Sequence, residues 1–286
     1  LSKLCDYEGS AYRTEFWEGR GRDYEDAAER LALGKLLPPQ GEALVEIGAG
    51  FGRLAELYRG YRRVVLLDHS RSLLLEAHER WGKDDRFTFI AADLHRLPLV
   101  DGAADTLVTV RVLHHVSDVP AALSELARVV ALGGCYVLEY ANKRNLKEFL
   151  RWLTGRSKKA PFSQEPVEFV ALNYNFHPSY MENALEEVGL RIERRLSVSL
   201  FRVGFLKRRF PNQLARLDGW LQAPTAPLTL GPSVFLRARK EGTGKKATGV
   251  FRCPVCNAAM EEREGAIACP ECRRTWREEE GIYDFR

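Results

Sequence analysis

From Ala43 to Glu139 short apolar runs alternate with segments of helical periodicity, and that alternation admits few architectures. Ala43 to Ile47, Val64 to Leu67, Phe87 to Ala91, Asp105 to Val110 and Cys135 to Glu139 read as strands. Gly52 to Tyr58, Ser70 to Trp81 and Pro120 to Val130 read as helices between them. The strands do not alternate apolar with polar residues, as expected when helices cover both sheet faces. The expected fold is therefore α/β, a Rossmann-like, doubly wound parallel sheet. A further amphipathic helix over Tyr24 to Leu37 precedes the sheet and stops at Pro38-Pro39.

After Tyr140 the rhythm changes. Lys143 to Thr154 reads as a basic amphipathic helix, Ala160 to Pro178 as irregular, and Ser179 to Val188 as a helix stopped by Gly189. Leu190 to Ser199 and Ser233 to Arg239 read as strands around a basic, proline-containing insertion. The formal net charge is only +4, but Ala141 to Trp220 holds 15 Lys or Arg against 8 Asp or Glu. A base excess confined to one region suits an anionic partner, or simply forms a solvated face. No run of 18 apolar residues exists to span a bilayer, and acidic residues near Leu1 to Glu8 do not suit a signal peptide, so a cytoplasmic location is expected.

The cofactor site is expected at Glu46-Ile47-Gly48-Ala49-Gly50-Phe51-Gly52-Arg53, where a strand runs through a glycine-rich turn. Glycines there permit a tight turn and close approach of a ligand to the backbone. The dinucleotide fingerprint wants a further glycine where this chain has Arg53. Glu46 would also repel a diphosphate, yet it suits a ligand carrying an ammonium and a sulfonium. S-adenosylmethionine is thus favoured over NAD. Asp68, followed by His69, closes the second strand, where a carboxylate can accept hydrogen bonds from a ribose diol. Its alternative role is to cap the next helix, a task open to Ser70 instead. Asp93, with Leu94 beside it, follows the third strand and could accept from an adenine amino group.

Glu46 to Gly52, Asp68, Asp93-Leu94, Asp105 to Val116, Leu126 to Val130 and Gly133-Gly134 together resemble the class I S-adenosylmethionine-dependent methyltransferases, in particular the small-molecule group that includes quinone-biosynthesis enzymes. The likeness spans roughly residues 40 to 140 and departs at Leu132, where the family often has proline. It implies a seven-stranded sheet with its last strand antiparallel, and a cofactor set of Glu46, Gly48, Ala49, Gly50, Gly52, Asp68, His69, Asp93 and Leu94. It also suggests that Arg111 meets the methionine carboxylate; otherwise Arg111 is a salt-bridge residue. Positioning of the acceptor can supply much of the rate, and a base is needed only if the acceptor loses a proton. His114, of the pair His114-His115, and His177 are the candidate bases; structural roles are open for both. Tyr7, Tyr12, Phe16, Trp17 and Tyr24 would form an aromatic lid or pack as core.

Cys253-Pro254-Val255-Cys256 and Cys269-Pro270-Glu271-Cys272 are two CxxC knuckles that place four thiolates around one zinc, at ~2.3 Å each. With four protein ligands no position stays open for catalysis, so the metal is expected to be structural. Cys5 and Cys135 stand alone. The knuckles, Trp276 and the ending Glu280 to Phe285 resemble the small zinc-ribbon proteins that activate tRNA, rRNA and release-factor methyltransferases.

The expected organisation is a methyltransferase domain over 1–240, a linker over 241–250 and a zinc ribbon over 251–286. The first would carry a helical lid over 1–40 and cap segments at about 141–178 and 200–232. A small-molecule or lipid-like acceptor is the leading expectation. An RNA or protein acceptor is the first rival, although Arg111-Val112-Leu113-His114 is not an Asn-Pro-Pro-Tyr-type motif. An NAD-dependent protein and a non-catalytic binding protein are the others.

Overall fold

Neighbouring residues of each central strand enter different cores. In the computed structural model, which describes residues 7–157, 161–244, 249–263 and 265–286, Leu44 packs into one apolar cluster and Val45 into the other. The strands are β1 (Gly41–Ile47), β2 (Tyr61–Asp68), β3 (Phe87–Ala91), β4 (Ala104–Thr109) and β5 (Val130–Ala141), all mutually parallel. One face is covered by α1 (Asp23–Leu36) and α2 (Arg71–Trp81), whose Leu33, Leu36 and Leu74 meet Leu44, Leu66 and Val108. The other is covered by α3 (Val119–Val129), whose Leu123 and Leu126 meet Val45, Leu107 and Leu138. Burial on both sides removes the need for alternation, which is why the strands read as continuous apolar runs.

Beyond β5 come α4 (Leu146–Leu153), the hairpin β6 (Val167–Val170) and β7 (Asn173–Asn175), α5 (Pro178–Glu187) and β8 (Leu190–Val198). Then follow α6 (Gly204–Arg209), α7 (Pro211–Leu221) and β9 (Ser233–Lys240). β9 lies antiparallel between β5 and β8, which gives the domain's seven strands the order β3-β2-β1-β4-β5-β9-β8. This is the Rossmann-like sheet with its last strand antiparallel.

Local detail departs from the periodicity in two places. The helix expected over Gly52 to Tyr58 is a single 3₁₀ turn, Ala55–Tyr58, because the glycine turn occupies the preceding residues and β2 begins at Tyr61. The segment read as irregular contains the β6–β7 hairpin, turning at Leu172 with φ +57°; Ala160 itself lies outside the described residues, as do Cys5 and residues 245–248 of the linker.

The cysteine-bearing segment joins the sheet. Its strands are β10 (Glu261–Arg263), β11 (Ala266–Ala268), β12 (Thr275–Glu279) and β13 (Ile282–Asp284). β13 runs parallel to β3, with Ile282 opposite Phe89 and Tyr283 opposite Ile90, making a continuous sheet of 11 strands. Phe251, Ile267, Tyr283 and Phe285 enter the cluster around Leu99 and Ile90. Without β13, β3 would present an unpaired edge. Among the described residues no helix is long and apolar enough to cross a membrane.

Candidate active-site cleft and four-cysteine centre

The strand order reverses between β1 and β4, and a cleft opens there at the strands' carboxyl ends, as in other doubly wound sheets. Its floor is the turn after β1. Gly48 and Gly50 have φ of +75° and +52°, a region that L side chains rarely adopt. A Cβ on Gly48 would lie 2.2 Å from Val112 Cγ2, whereas one on Gly50 would meet nothing nearer than Leu73 Cδ1 at 3.9 Å. Gly48 is thus required by packing, and Gly50 leaves the space above the turn open.

Three carboxylates expected at the strand ends take different positions. Glu46 lines the cleft, is buried, and its Oε2 has no hydrogen-bond partner among the described residues. Burial pushes its carboxyl up to about 8, although the nearby Tyr58 hydroxyl and Arg53 pull the other way. Asp68 also lines the cleft; its Oδ2 accepts from Gly50 N–H (2.7 Å) and its Oδ1 from Ser70 N–H (2.9 Å). It therefore braces the glycine turn, while Ser70 Oγ caps α2 by accepting from Leu73 N–H. Burial raises the Asp68 carboxyl despite those bonds. Asp93 is not among the lining residues; its Oδ1 holds His95 through the backbone N–H (2.8 Å) and Nδ1 (3.0 Å).

His95 was not singled out in the sequence, yet it lines the cleft with its Nε2 unpartnered among the described residues. The Asp-x-His spacing, which lets the carboxylate orient the ring, was the available signal. Ala49, His69 and Leu94 line the cleft as well. Gly52 does not; its carbonyl accepts from Trp81 Nε1 at 3.1 Å.

Arg111 follows β4 with φ +60° and lines the cleft. Its guanidinium is held by Glu29 of α1, through Nε at 2.9 Å and through Nη2, and its N–H donates to Glu139 Oε2 at 3.0 Å. Glu29 Oε2 also accepts from Arg53 Nη2 at 2.8 Å. One fully buried carboxylate thus ties α1 to the glycine turn and to the end of β4. The salt-bridge alternative for Arg111 is what the geometry displays. Trp17 lies over both guanidiniums, 3.9 Å from that of Arg53 and 4.9 Å from that of Arg111.

Tyr7, Tyr12 and Trp17 line the cleft, whereas Tyr24 is core, donating to Asp218 at 3.1 Å. The N-terminal aromatics thus divide between the two roles expected of them. His115, also at the cleft, bridges Tyr7 Oη (3.1 Å) and Leu172 O (3.1 Å), so it links the N-terminal segment to the hairpin. The His114 ring lies tilted against it, centroids 3.9 Å apart, and does not line the cleft; burial, then His115 and Arg111, lowers its imidazole well below the ordinary histidine value. His177 is at the start of α5, where its Nδ1 accepts from Ser179 N–H at 3.2 Å, and it does not line the cleft.

The four cysteines converge. Their sulfurs lie within 4.8 Å of one another, with 3.6 Å between Cys253 and Cys272 and 3.4 Å between Cys256 and Cys269. Thiolates bound tetrahedrally at ~2.3 Å stand ~3.8 Å apart, so this donor set fits one zinc. Both knuckles turn alike: Asn257 (φ +67°) and Arg273 (φ +58°) follow the second cysteine of each pair and donate to the carbonyls of Cys253 and Cys269.

Residues 45–138 match the family described as a methyltransferase domain. That stretch is similar to a methyltransferase domain. The match runs from within β1 to within β5 and includes every cleft residue that follows those strands. Malonyl-[acyl-carrier protein] O-methyltransferase from Serratia marcescens is 33% identical over 124 residues, covering 43% of this chain and 47% of that protein. Demethylmenaquinone methyltransferase from Thermobifida fusca is 36% identical over 101 residues, covering 34% and 43% respectively. The chain thus spans less than half the length of these relatives. Among solved structures, a chain in the complex of the Haloferax volcanii Trm112 methyltransferase activator with a methyltransferase shares the fold. It has a TM-score of 0.56 at 17% identity and covers 85% of this chain and 100% of that one.

Proposed function

We propose that the protein transfers a methyl group from S-adenosylmethionine to a small-molecule or lipid-like acceptor, and that the four cysteines hold a structural zinc. The observation that carries this reading is the unpartnered carboxylate oxygen of Glu46, buried in the floor of a cleft built on a glycine turn. A buried carboxyl without a partner ionises only beside a counter-ion, and the ammonium of S-adenosylmethionine would provide one. Bound S-adenosylmethionine would supply an electrophilic methyl on its sulfonium. Glu46 would hold the ammonium, Asp68 the ribose hydroxyls, and His69 and Leu94 the adenine end, with Asp93 acting through the His95 ring it orients; Gly50 would admit the ligand against the backbone. Tyr7, Tyr12 and Trp17 would exclude water. For an acceptor that must lose a proton, His114 would be the neutral imidazole, lying against His115, which itself lines the cleft; His177, engaged as a helix cap, drops out. The small-molecule reading draws on the relatives named for malonyl-[acyl-carrier protein] and demethylmenaquinone. The ribbon favours a second reading, in which a macromolecule is the acceptor.

Titration calorimetry with S-adenosylmethionine and with NAD tests the cofactor assignment, since preferential NAD binding would reject it. Labelled cofactor incubated with fractionated extract then reports whether label enters small molecules, protein or RNA. We expect Asp68→Ala to weaken cofactor binding at least tenfold, about 1.4 kcal/mol; unchanged affinity would remove its ribose role.

Glu46 gives a pH prediction. In the free protein its carboxyl titrates at about 8, so at pH 7 it is largely protonated. A cationic ligand favours the ionised form, so binding releases a proton and affinity rises with pH up to about 8. Calorimetry at pH 7 in two buffers of different ionisation enthalpy should show that release, and Glu46→Gln should abolish it. A wild-type protein binding with no proton exchange would contradict the assignment.

A further inference from the structure

Large apolar side chains are not exposed evenly over this molecule. Among the described residues 17 are exposed, and 14 of them fall between Leu146 and Leu228, in the segments added around β8. The helix α4 is the clearest case. Leu146, Leu150 and Leu153 stand at i, i+4 and i+7, one stripe of the helix, and are 46%, 48% and 63% exposed. The helix has no buried residue. In α6 and just after it, Phe205 is 77% exposed and Phe210 43%.

The same segments carry the cations. Arg144, Lys147, Arg208 and Arg209 form no ion pair with any described residue, whereas Glu148, the acid of α4, is paired with Arg151 at 3.3 Å. The topology places both helices on one rim. β5 and β8 point the same way, since each is antiparallel to β9, so α4 and α6 both leave the sheet at its carboxyl end, beside the cleft. Both are tied to the start of β9: Leu146 N–H donates to Leu230 O at 3.0 Å, and Arg202 Nη2 to Ser233 Oγ at 3.1 Å.

We propose that this rim docks on an anionic phospholipid bilayer, with the leucine stripe of α4, Phe205 of α6 and Phe210 just after it entering the headgroup boundary and the unpaired cations meeting lipid phosphates. Short amphipathic helices with leucine or aromatic residues on one side and lysine or arginine on the other lie in an interface without crossing it. Each unpaired cation adds attraction to an anionic leaflet. A nucleic acid would use the cations but gives no reason for aliphatic leucines at helical spacing to stay uncovered. The docked orientation turns the cleft mouth toward the lipid. The inference concerns binding alone and stands or falls independently of methyl transfer.

The test is flotation of the full chain with vesicles of phosphatidylglycerol in phosphatidylcholine, and with phosphatidylcholine alone. Retention is expected on the first, much weaker on the second, and reduced by salt. The double variant Arg208→Glu with Arg209→Glu should lower partitioning at least about tenfold, as should Leu150→Asp with Leu153→Asp. Leu132→Asp, an exposed leucine at the opposite rim, should leave partitioning unchanged. All sites are on the surface, and equal urea midpoints would establish that the variants remain folded. No retention of the wild-type chain overturns the proposal, as does retention that neither double variant reduces. Binding of tRNA through the same residues without vesicle binding would overturn it in favour of nucleic acid, and dimerisation lost in the leucine variant without vesicle binding would overturn it in favour of a second copy.

Discussion

Replacing Glu29 by alanine should lower the stability of the chain by about 3–5 kcal/mol, the cost of leaving the largely buried Arg111 guanidinium without its carboxylate, while Arg53 keeps Asp26. Glu29 is fully buried and holds Arg53 and Arg111, both of which line the cleft, at once. Burial alone would raise its carboxyl, but Arg111 and Arg53 overcome that and hold it below the ordinary glutamate value. A depressed carboxyl contributes stability above the unfolded value and loses it as pH falls through the folded one. Acid should therefore weaken wild type through this site and have less effect on Glu29→Ala. Urea denaturation should show a lower midpoint with an unchanged slope. The loss should extend to the cleft, because Trp17 stacks on the same two guanidiniums. A loss below about 1 kcal/mol, typical of an exposed pair, would mean that the triad is not the clamp described here.

Metal removal is the second large effect. Structural zinc contributes roughly 10–16 kcal/mol in small domains, more than or comparable to the whole stability of an ordinary fold. Chelation of the full chain should unfold 251–286 and uncover the edge of β3, with loss of compactness by scattering and aggregation on warming. The same treatment should loosen the cleft. Arg286 pairs with Glu8 at 3.1 Å and donates to His69 O at 3.2 Å, while Glu8 accepts from the Arg71 N–H at the start of α2. Cys269→Ser should reproduce the effect of chelation. Protein purified without chelator that contains no metal, or that keeps its scattering radius in chelator, would end the zinc assignment.

How far the sequence reaches can be judged from particular residues. The five parallel strands were visible because each is a short apolar run bounded by a turn, and the four cysteines because their spacing is itself a geometry. Residues such as Gly48 and Asp68 were visible because they close strands whose ends the topology brings to one edge. Glu29 was missed, although Glu25 and Glu29 stand one turn apart on the buried stripe of α1, and an acid in such a stripe signals a buried ion pair.

Local pattern thus determined the five parallel strands, the doubly wound class and the donor set, because periodicity, turn chemistry and ligand spacing act over a few residues. Tertiary structure alone decided that Glu29 engages Arg111 across 82 positions, that β13 completes the edge of β3, and that His115 joins Tyr7 to the hairpin. Contacts of that kind follow from which surfaces meet after the chain collapses. Many pairings satisfy the same burial pattern, and the fold selects the one that leaves the fewest charges and strand edges unpaired.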